Sequence, residues 1–175
     1  MPIPGCVSRE LEVNVSAKET WKVYGSLQLA QIAVDAFPDR FTGFKLLQGN
    51  GQSGTIIKVF LAPDVPGTKW YREEYELVDD AKRLKFARML EGGVIDQGFL
   101  SFVTRLDAIE KPGNPNACTM KGTIDYVMKD ESVRPQVKVQ IDGLFNIMKA
   151  VADYVTKHHS STKTKTCTST SAYTN

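Results

Sequence analysis

Between Phe41 and Met128 the chain is a succession of short β-strand patterns separated by turn residues. β-Branched and aromatic residues dominate each pattern, whereas Gly, Pro, Asn and Asp are concentrated between the patterns. The predicted strands cover roughly 41–48, 54–62, 69–78, 83–91, 97–108 and 117–128. Parallel neighbours need a crossover of about a dozen residues or more, and these connections are shorter. The sequence therefore predicts an antiparallel meander.

A long amphipathic helix is predicted to follow the last strand, from about Ser132 to His158. Pro135 suits its first turn, where a missing N–H costs nothing. Its apolar residues recur at spacings of three and four and so share one face. They are Val137, Ile141, Leu144, Met148, Val151 and Val155. A strongly bent antiparallel sheet can wrap a helix of this kind along its apolar face.

The segment before the meander is predicted to contain a strand over residues 8–15 and two short helices. Ser16 and Glu19 form a capping box that begins the first helix directly after the strand. Gly25 interrupts that helix, and a second runs from about Leu27 to Phe37. We therefore predict an α+β fold in which a curved, seven-stranded antiparallel sheet wraps the long helix and leaves room for an internal cavity.

Composition limits the chain to one folded domain and a short tail. With 175 residues and 42% hydrophobic content, it suits a single core, which we place over residues 1–159. Residues 160–175 are rich in Ser and Thr, and we predict that they are disordered.

The charge and the absence of special segments exclude several functions and predict a compartment. A net charge of +2 provides no basic face for nucleic acid. No stretch approaches the roughly 18 apolar residues of a membrane span, and no signal peptide is visible. Three scattered cysteines suggest neither a disulfide framework nor a metal site. We expect a cytoplasmic protein without a metal; the sequence indicates no oligomeric state.

The stretch "GNGQSGT" at residues 49–55 has the G-x-G-x-x-G spacing of dinucleotide-binding loops. That fingerprint needs a helix after the glycines, so that the helix N-terminus meets the pyrophosphate. Here a β-branched stretch follows, from Thr55 to Phe60, and it indicates a strand. We therefore interpret the glycines as the turn of a β-hairpin.

The strand predicted over 69–78 carries a carboxylate on an otherwise apolar face. Side chains alternate along a strand, so one face holds Tyr71, Glu73, Tyr75 and Leu77. The opposite face holds Arg72, Glu74 and Glu76 and is the solvent side. Desolvation raises the pKa of a buried carboxylate, whereas a nearby cation lowers it. Glu73 is therefore a candidate general base.

The orientation of Lys85 depends on the turn before it. Leu84, Phe86 and Leu90 are more apolar than Lys85 and its companions, so the pattern alone places Lys85 outside. A three-residue turn instead puts Lys85 on the face of Glu73, with their Cβ atoms roughly 5–8 Å apart. A two-residue turn sets Phe86 against Glu73. The sequence does not decide between these registers.

Further residues are expected to face inward and line the cavity. From the strands they are Ile57, Val59, Leu61, Tyr75, Met89, Leu100, Phe102 and Thr104, and from the long helix Met148. Residues of this kind more often belong to the hydrophobic core than to a binding pocket. They can contact a ligand only if the fold encloses an internal cavity.

Several stretches resemble the Bet v I superfamily of plant proteins over about residues 8–158. They are the "GNGQSGT" hairpin, "LEGG" at 90–93, "WKVYGSLQLAQ" at 21–31 and "VPGTKWYREEYELVDDAKRLK" at 65–85. The last two are similar to the norcoclaurine synthase subgroup, which includes norbelladine synthase. The resemblance implies a helix-grip fold around a ligand cavity and a cofactor-free site.

In norcoclaurine synthases a Tyr, a Glu and a Lys form the active site. The resemblance implies that the corresponding residues here are Tyr71, Glu73 and Lys85. Those enzymes also place an Asp where this chain has Thr104, which puts the step assisted by the Asp in doubt. The resemblance implies a Pictet–Spengler condensation of a dopamine-like amine with an aldehyde. The alternative is a non-catalytic carrier of an apolar plant metabolite or hormone such as a cytokinin, gibberellin or flavonoid.

Overall fold

The computed structural model describes the backbone of residues 1–170 and the side chains of residues 1–159. The strands are β1 Ile3–Val13, β2 Phe41–Gln48, β3 Ile56–Leu61, β4 Trp70–Asp79, β5 Leu84–Gly92, β6 Phe99–Lys111 and β7 Asn114–Met128. The helices are α1 Ala17–Tyr24, α2 Gln28–Ala36 and α3 Arg134–Thr170. The predicted disorder over 160–175 falls outside the fully described residues and stays a prediction.

The seven strands form one antiparallel sheet in the order β1-β7-β6-β5-β4-β3-β2. Strands β2 to β7 follow one another as the predicted meander, and β1 pairs with β7 at the far edge. The fold prediction is confirmed: α3 packs across β1 and β7, and α1 and α2 pack against it. Among the described residues, no helix combines the length and apolar character needed to cross a membrane.

Strand β1 begins earlier than its sequence predicts. Residues 3–7 contain Pro4 and Gly5, which disfavour a strand, yet they pair with β7 as far as Met128. Pro4 is tolerated because β1 is an edge strand, where its missing N–H breaks no internal ladder. Gly5 lies under the ring of Tyr126, so closely that an added Cβ would overlap the ring.

Two side-chain contacts fix the first helix, one at its start and one from its middle. The Ser16 hydroxyl accepts a hydrogen bond from the Glu19 N–H at 3.2 Å, which confirms the predicted helix start. The Trp21 indole donates to Asp80 at 2.9 Å and ties α1 to the turn between β4 and β5. That turn leads directly into Lys85, so α1 helps hold the strand that follows.

The predicted apolar stripe of α3 is confirmed. Val137, Ile141, Met148, Val151 and Val155 are all buried. They contribute to two clusters of core residues, one against α1 and α2 and one near the start of α3. Leu144, the remaining stripe residue, is only partly buried, because it faces an opening between the helix and the sheet.

The glycine stretch is the turn of the β2–β3 hairpin, as predicted. Gly49, Gly51 and Gly54 all have positive φ, between 85° and 100°, which other residues rarely adopt. The Thr55 hydroxyl accepts a hydrogen bond from the Gly51 N–H and donates to the Gln52 carbonyl. Because a strand follows the glycines, no helix N-terminus is available for a pyrophosphate there.

Candidate active site

An internal cavity of about 140 Å³ lies between the sheet, α2 and α3. Most of its lining is apolar, from residues such as Ala33, Phe41, Ile57, Phe102, Leu144 and Ile147. The charged residues among the described lining residues are Arg40, Glu73 and Lys85. A cavity with few polar groups on mainly apolar walls is typical of a small-molecule site.

Strand β4 turns three side chains into this cavity: Tyr71, Glu73 and Tyr75. The alternation then breaks at a β-bulge between Tyr75 and Leu77. As a result Leu77 is 38% exposed and Val78 is buried, so the prediction that Leu77 shares the inner face was wrong. The bulge inserts an extra residue, Glu76, and inverts the facing of all that follows.

Strand β5 turns Lys85, Ala87 and Met89 inward. Both predicted registers of the β4–β5 hairpin were wrong, since Glu73 pairs with Met89 and Lys85 pairs with Val78. Four residues separate the two strands, the last of them Arg83 at φ 53°, and the bulge adds a further shift. Lys85 thus lies four residues from the partner of Glu73, about 13 Å along the strand rather than beside it.

Lys85 is the most deeply enclosed charged group of the site. It is 1% exposed, and its neighbours on the two adjacent strands are the apolar Val78 and Leu106. Its Nζ lies 3.4 Å from the centre of the Tyr75 ring. Within the described residues it makes no hydrogen bond. Burial lowers the pKa of Lys85 from 10.5 to about 8, and Glu73 opposes that shift.

The pKa of Glu73 shifts in the opposite direction to that of Lys85, and burial is again the main cause. Burial raises the pKa of the Glu73 carboxyl above its ordinary value of 4.5, and the charge of Lys85 lowers it in part. The side chain is partly accessible, and part of that surface faces the cavity. Burial thus moves the pKa values of both groups towards neutrality, as general acids and bases require.

A second pocket of about 270 Å³ adjoins the cavity near Tyr71. Both hollows share four lining residues: Arg40, Tyr71, Met89 and Gln140. The outer one also reaches Pro66 and Gln97, and the Gln97 amide donates to the Pro66 carbonyl at 3.5 Å. Tyr71 therefore stands where the cavity meets its outer vestibule.

The other predicted lining residues fall into four groups. Ile57, Val59, Tyr75, Met89, Phe102 and Thr104 line the cavity. Leu61 lines the outer vestibule, and Met148 is fully buried in the core rather than in the cavity wall. Leu100 is 58% exposed, so its prediction was wrong. A bulge between Phe99 and Ser101 places Leu100 outside the alternation of β6.

Several lining residues have no clear marker in the sequence. Arg40 and Gln140 are ordinary polar residues of a loop and a helix, and only the packing of α2 and α3 brings them to the cavity. Ala30, Ala33 and Val34 come from α2, whose amphipathic pattern marks a buried face but not a cavity wall. No cluster of His, Cys, Asp and Glu among the described residues could hold a metal ion.

The fold and the site define a class: a curved antiparallel sheet wraps one long helix, and the mostly apolar cavity between them contains a carboxyl group and a buried amine. The sequence profile of the pathogenesis-related protein Bet v 1 family matches residues 3–158. The chain therefore belongs to this family.

Similar proteins narrow the comparison within the family. Norbelladine synthase of Narcissus pseudonarcissus is 34% identical over 151 residues, which cover 86% of this chain and 91% of that protein. S-norcoclaurine synthase 2 of Papaver somniferum is 30% identical over 85% of this chain, and the match spans only 64% of that protein.

A solved structure shows the same fold. Norcoclaurine synthase from Thalictrum flavum, in complex with dopamine and hydroxybenzaldehyde, superposes with a TM-score of 0.76 at 30% identity. The match covers 90% of this chain and 89% of that one.

Proposed function

We propose that this chain joins an aromatic ethylamine to an aldehyde through an imine, followed by Pictet–Spengler ring closure. One observation carries the proposal: Glu73 and Lys85 face the same apolar cavity, where burial raises the pKa of the acid and lowers that of the amine. The relatives named norcoclaurine and norbelladine synthase support this choice of substrates.

Each polar group has a distinct role in this mechanism. Lys85 activates the aldehyde carbonyl and assists the loss of water as the iminium forms. Glu73 then accepts a proton, from the arene ring when cyclisation follows. Tyr71, at the junction with the vestibule, hydrogen-bonds a phenol of the substrate and shapes the entrance. Holding both reactants in one enclosed space supplies much of the acceleration.

A screen of aromatic amines against aldehydes, read by mass spectrometry, tests the proposal. We expect product from at least one dopamine-like amine, and a large loss of turnover in Glu73→Gln and in Lys85→Met. Lys58→Met is the matched control, because Lys58 also lies over an aromatic ring, that of Trp70, but outside the cavity. Full turnover by both site variants would rule out the mechanism.

A second candidate function is the binding of an apolar metabolite without conversion. Thr104 favours it, because this neutral residue stands on the cavity wall where the synthases that the chain resembles have a carboxylate. Calorimetry with a cytokinin, a gibberellin and a flavonoid tests it. Tight binding of one of them, with no product from any amine–aldehyde pair, would select this function over the enzyme.

A further inference from the structure

The amine of Lys85 is unusual because it has no direct polar contact within the described chain, so the ring of Tyr75 and the more distant charge of Glu73 are what favour its ammonium form. Among the described residues its Nζ has no hydrogen-bond acceptor and no carboxylate within ion-pair distance. The one contact of note is the face of Tyr75 at 3.4 Å. A buried lysine in an apolar pocket commonly acts as a nucleophile towards carbonyl groups, because part of it carries a free lone pair.

The surroundings of Lys85 leave room for a reactant beside the amine. On the inner face of the sheet Leu106 pairs with Lys85, and the positions next to this pair are small: Ala87, with a single methyl group, and Thr104, which pairs with Ala87. Glu73 is the only acid among the described lining residues, and it pairs with Met89, four residues along β5 from Lys85. No carboxylate therefore competes with a ligand for the nitrogen.

From this geometry we infer that Lys85 is a covalent capture site for aldehydes, which it binds as an imine. The ammonium gives one proton to the carbonyl oxygen, which frees the nitrogen lone pair. The lone pair then forms a bond to the carbonyl carbon as the carbonyl π electrons move to the oxygen. The oxygen leaves as water with two of the three ammonium protons, so the products are a protonated imine on Lys85 and one water molecule. The ring of Tyr75 stabilises this iminium as it does the ammonium, because the positive charge stays at the same nitrogen.

The inference rests on the proposed function for its choice of aldehydes, and it specifies how Lys85 activates the carbonyl. An arriving amine attacks the iminium carbon and expels the lysine nitrogen. Its own nitrogen now carries the C=N bond, and Lys85 is regenerated. The exchange consumes one amine and releases no further water, so the overall balance equals that of direct imine formation.

Borohydride trapping in the absence of any amine substrate tests the capture. The full-length protein is incubated with hydroxybenzaldehyde, which has no enolisable hydrogen, and then reduced with sodium borohydride. We expect one addition equal to the mass of the aldehyde minus one oxygen atom, and peptide mapping should place it on Lys85. Mapping uses the unmodified chain, so the result does not depend on a variant that fails to fold.

Matched variants sharpen the test. Lys85→Met should abolish the addition, whereas Lys58→Met should leave it unchanged. Thr104→Asp places a carboxylate diagonal to Lys85 and should raise the pKa of the amine. A higher pKa leaves less free amine near neutral pH, so labelling should slow by about tenfold when the pKa of Lys85 rises by about 1. Thr104→Asn is the uncharged control, and equal labelling of the Asp and Asn variants would contradict the inference.

The trapping experiment and the product screen test the two proposals separately, so either proposal can be contradicted without the other. Addition spread over surface lysines, or no addition at residue 85 of the folded protein, overturns the inference even when amine–aldehyde product is formed. Conversely, addition at Lys85 with no product from any amine–aldehyde pair supports the inference and overturns the proposed function.

Discussion

At the scale of single residues, the site combines a buried amine, Lys85, with a partly accessible carboxyl, Glu73, and the fold does not pair them directly. Lys85 is 1% exposed, and within the described chain its Nζ has no hydrogen-bond partner. Removing a charge from water is costly unless other groups replace its hydration. Lys85 therefore reduces the stability of the fold at neutral pH, which suggests that the residue serves function.

Replacing Lys85 with Met should stabilise the protein. A shift of the pKa of Lys85 from 10.5 to about 8 corresponds to roughly 3 kcal/mol at most. The gain is reduced because the pKa of Glu73 rises further once the positive charge is gone. The free energy of unfolding, from urea titration at pH 7, should increase in Lys85→Met and stay constant in Lys58→Met.

The size of this effect depends on pH. Below about pH 8 Lys85 is protonated in both the folded and the unfolded chain, so its destabilising effect on the fold is fully present. Between about pH 8 and 10.5 the folded chain releases this proton while the unfolded chain still holds it. The penalty fades as the pH rises towards 10.5. The difference between Lys85→Met and the unmodified chain should therefore shrink over that window. A constant difference from pH 7 to 10.5 would show that the amine is not desolvated.

The pH profile of the condensation should report Glu73 on its acid side. Burial raises the pKa of Glu73 above 4.5, so activity should rise with pH at values above the ordinary range of a carboxylate. Glu73→Gln should remove this limb and lower turnover by about 10²–10⁴-fold, the usual contribution of a general base. Steady-state rates from pH 4 to 10 provide the measurement, and an unchanged limb in Glu73→Gln would exclude Glu73 as the base.

At the scale of elements, bulges and turns decide which residues reach the cavity. The bulge after Tyr75 directs Leu77 outward, and the bulge at Leu100 does the same in β6. Loop length sets the β4–β5 register, which places Lys85 opposite Val78. Each bulge is a shift by one residue, and such a shift inverts the facing of every side chain beyond it.

The β2–β3 turn should be sensitive to a single methyl group. Gly49 has a φ of 85°, and a Cβ there would lie 2.7 Å from the Cα of Thr55. Gly49→Ala should therefore lower the free energy of unfolding by about 1–3 kcal/mol, measured in urea. Gly43→Ala is the matched control, because Gly43 has ordinary φ and its added Cβ meets nothing within 4 Å. Similar losses in both variants would contradict the explanation.

At the scale of the whole molecule, the cavity exists because two surfaces meet incompletely. The sheet curves around α3, and the apolar stripe of α3 is buried at both of its ends. Leu144, in the middle of the stripe, faces the cavity between α3 and the sheet. Helix α2 closes one side with small residues such as Ala30 and Ala33. Small side chains on the helices and on β5 thus keep the space open.

Filling that space should block function without unfolding the chain. Ala87 lies on the cavity wall between the levels of Glu73 and Lys85, so Ala87→Leu places its bulk between them. We expect at least about a tenfold loss of ligand affinity or turnover, with a change in stability of about 1–3 kcal/mol or less. Calorimetry and urea titration measure the two quantities. Unchanged affinity would show that ligands do not occupy this cavity.

The local patterns of the sequence were sufficient for the elements and their order. Alternation and turn residues determine the meander, Ser16 determines the start of α1, and the spacing from Val137 to Val155 determines the buried face of α3. These features depend on neighbours within a few residues of each other, so the information lies in the chain itself. The inward orientation of Tyr71 and Glu73 was predicted in the same way.

Only the tertiary structure decided where Lys85 points and what surrounds it. Its own strand is more apolar on the other face, and the bulge, the four-residue turn and the pairing with β6 together override that preference. Arg40 and Gln140 reach the cavity because α2 and α3 pack there, which no local pattern encodes. Pairing and packing join residues far apart in sequence, so the environment that lowers the pKa of Lys85 exists only once the chain has folded.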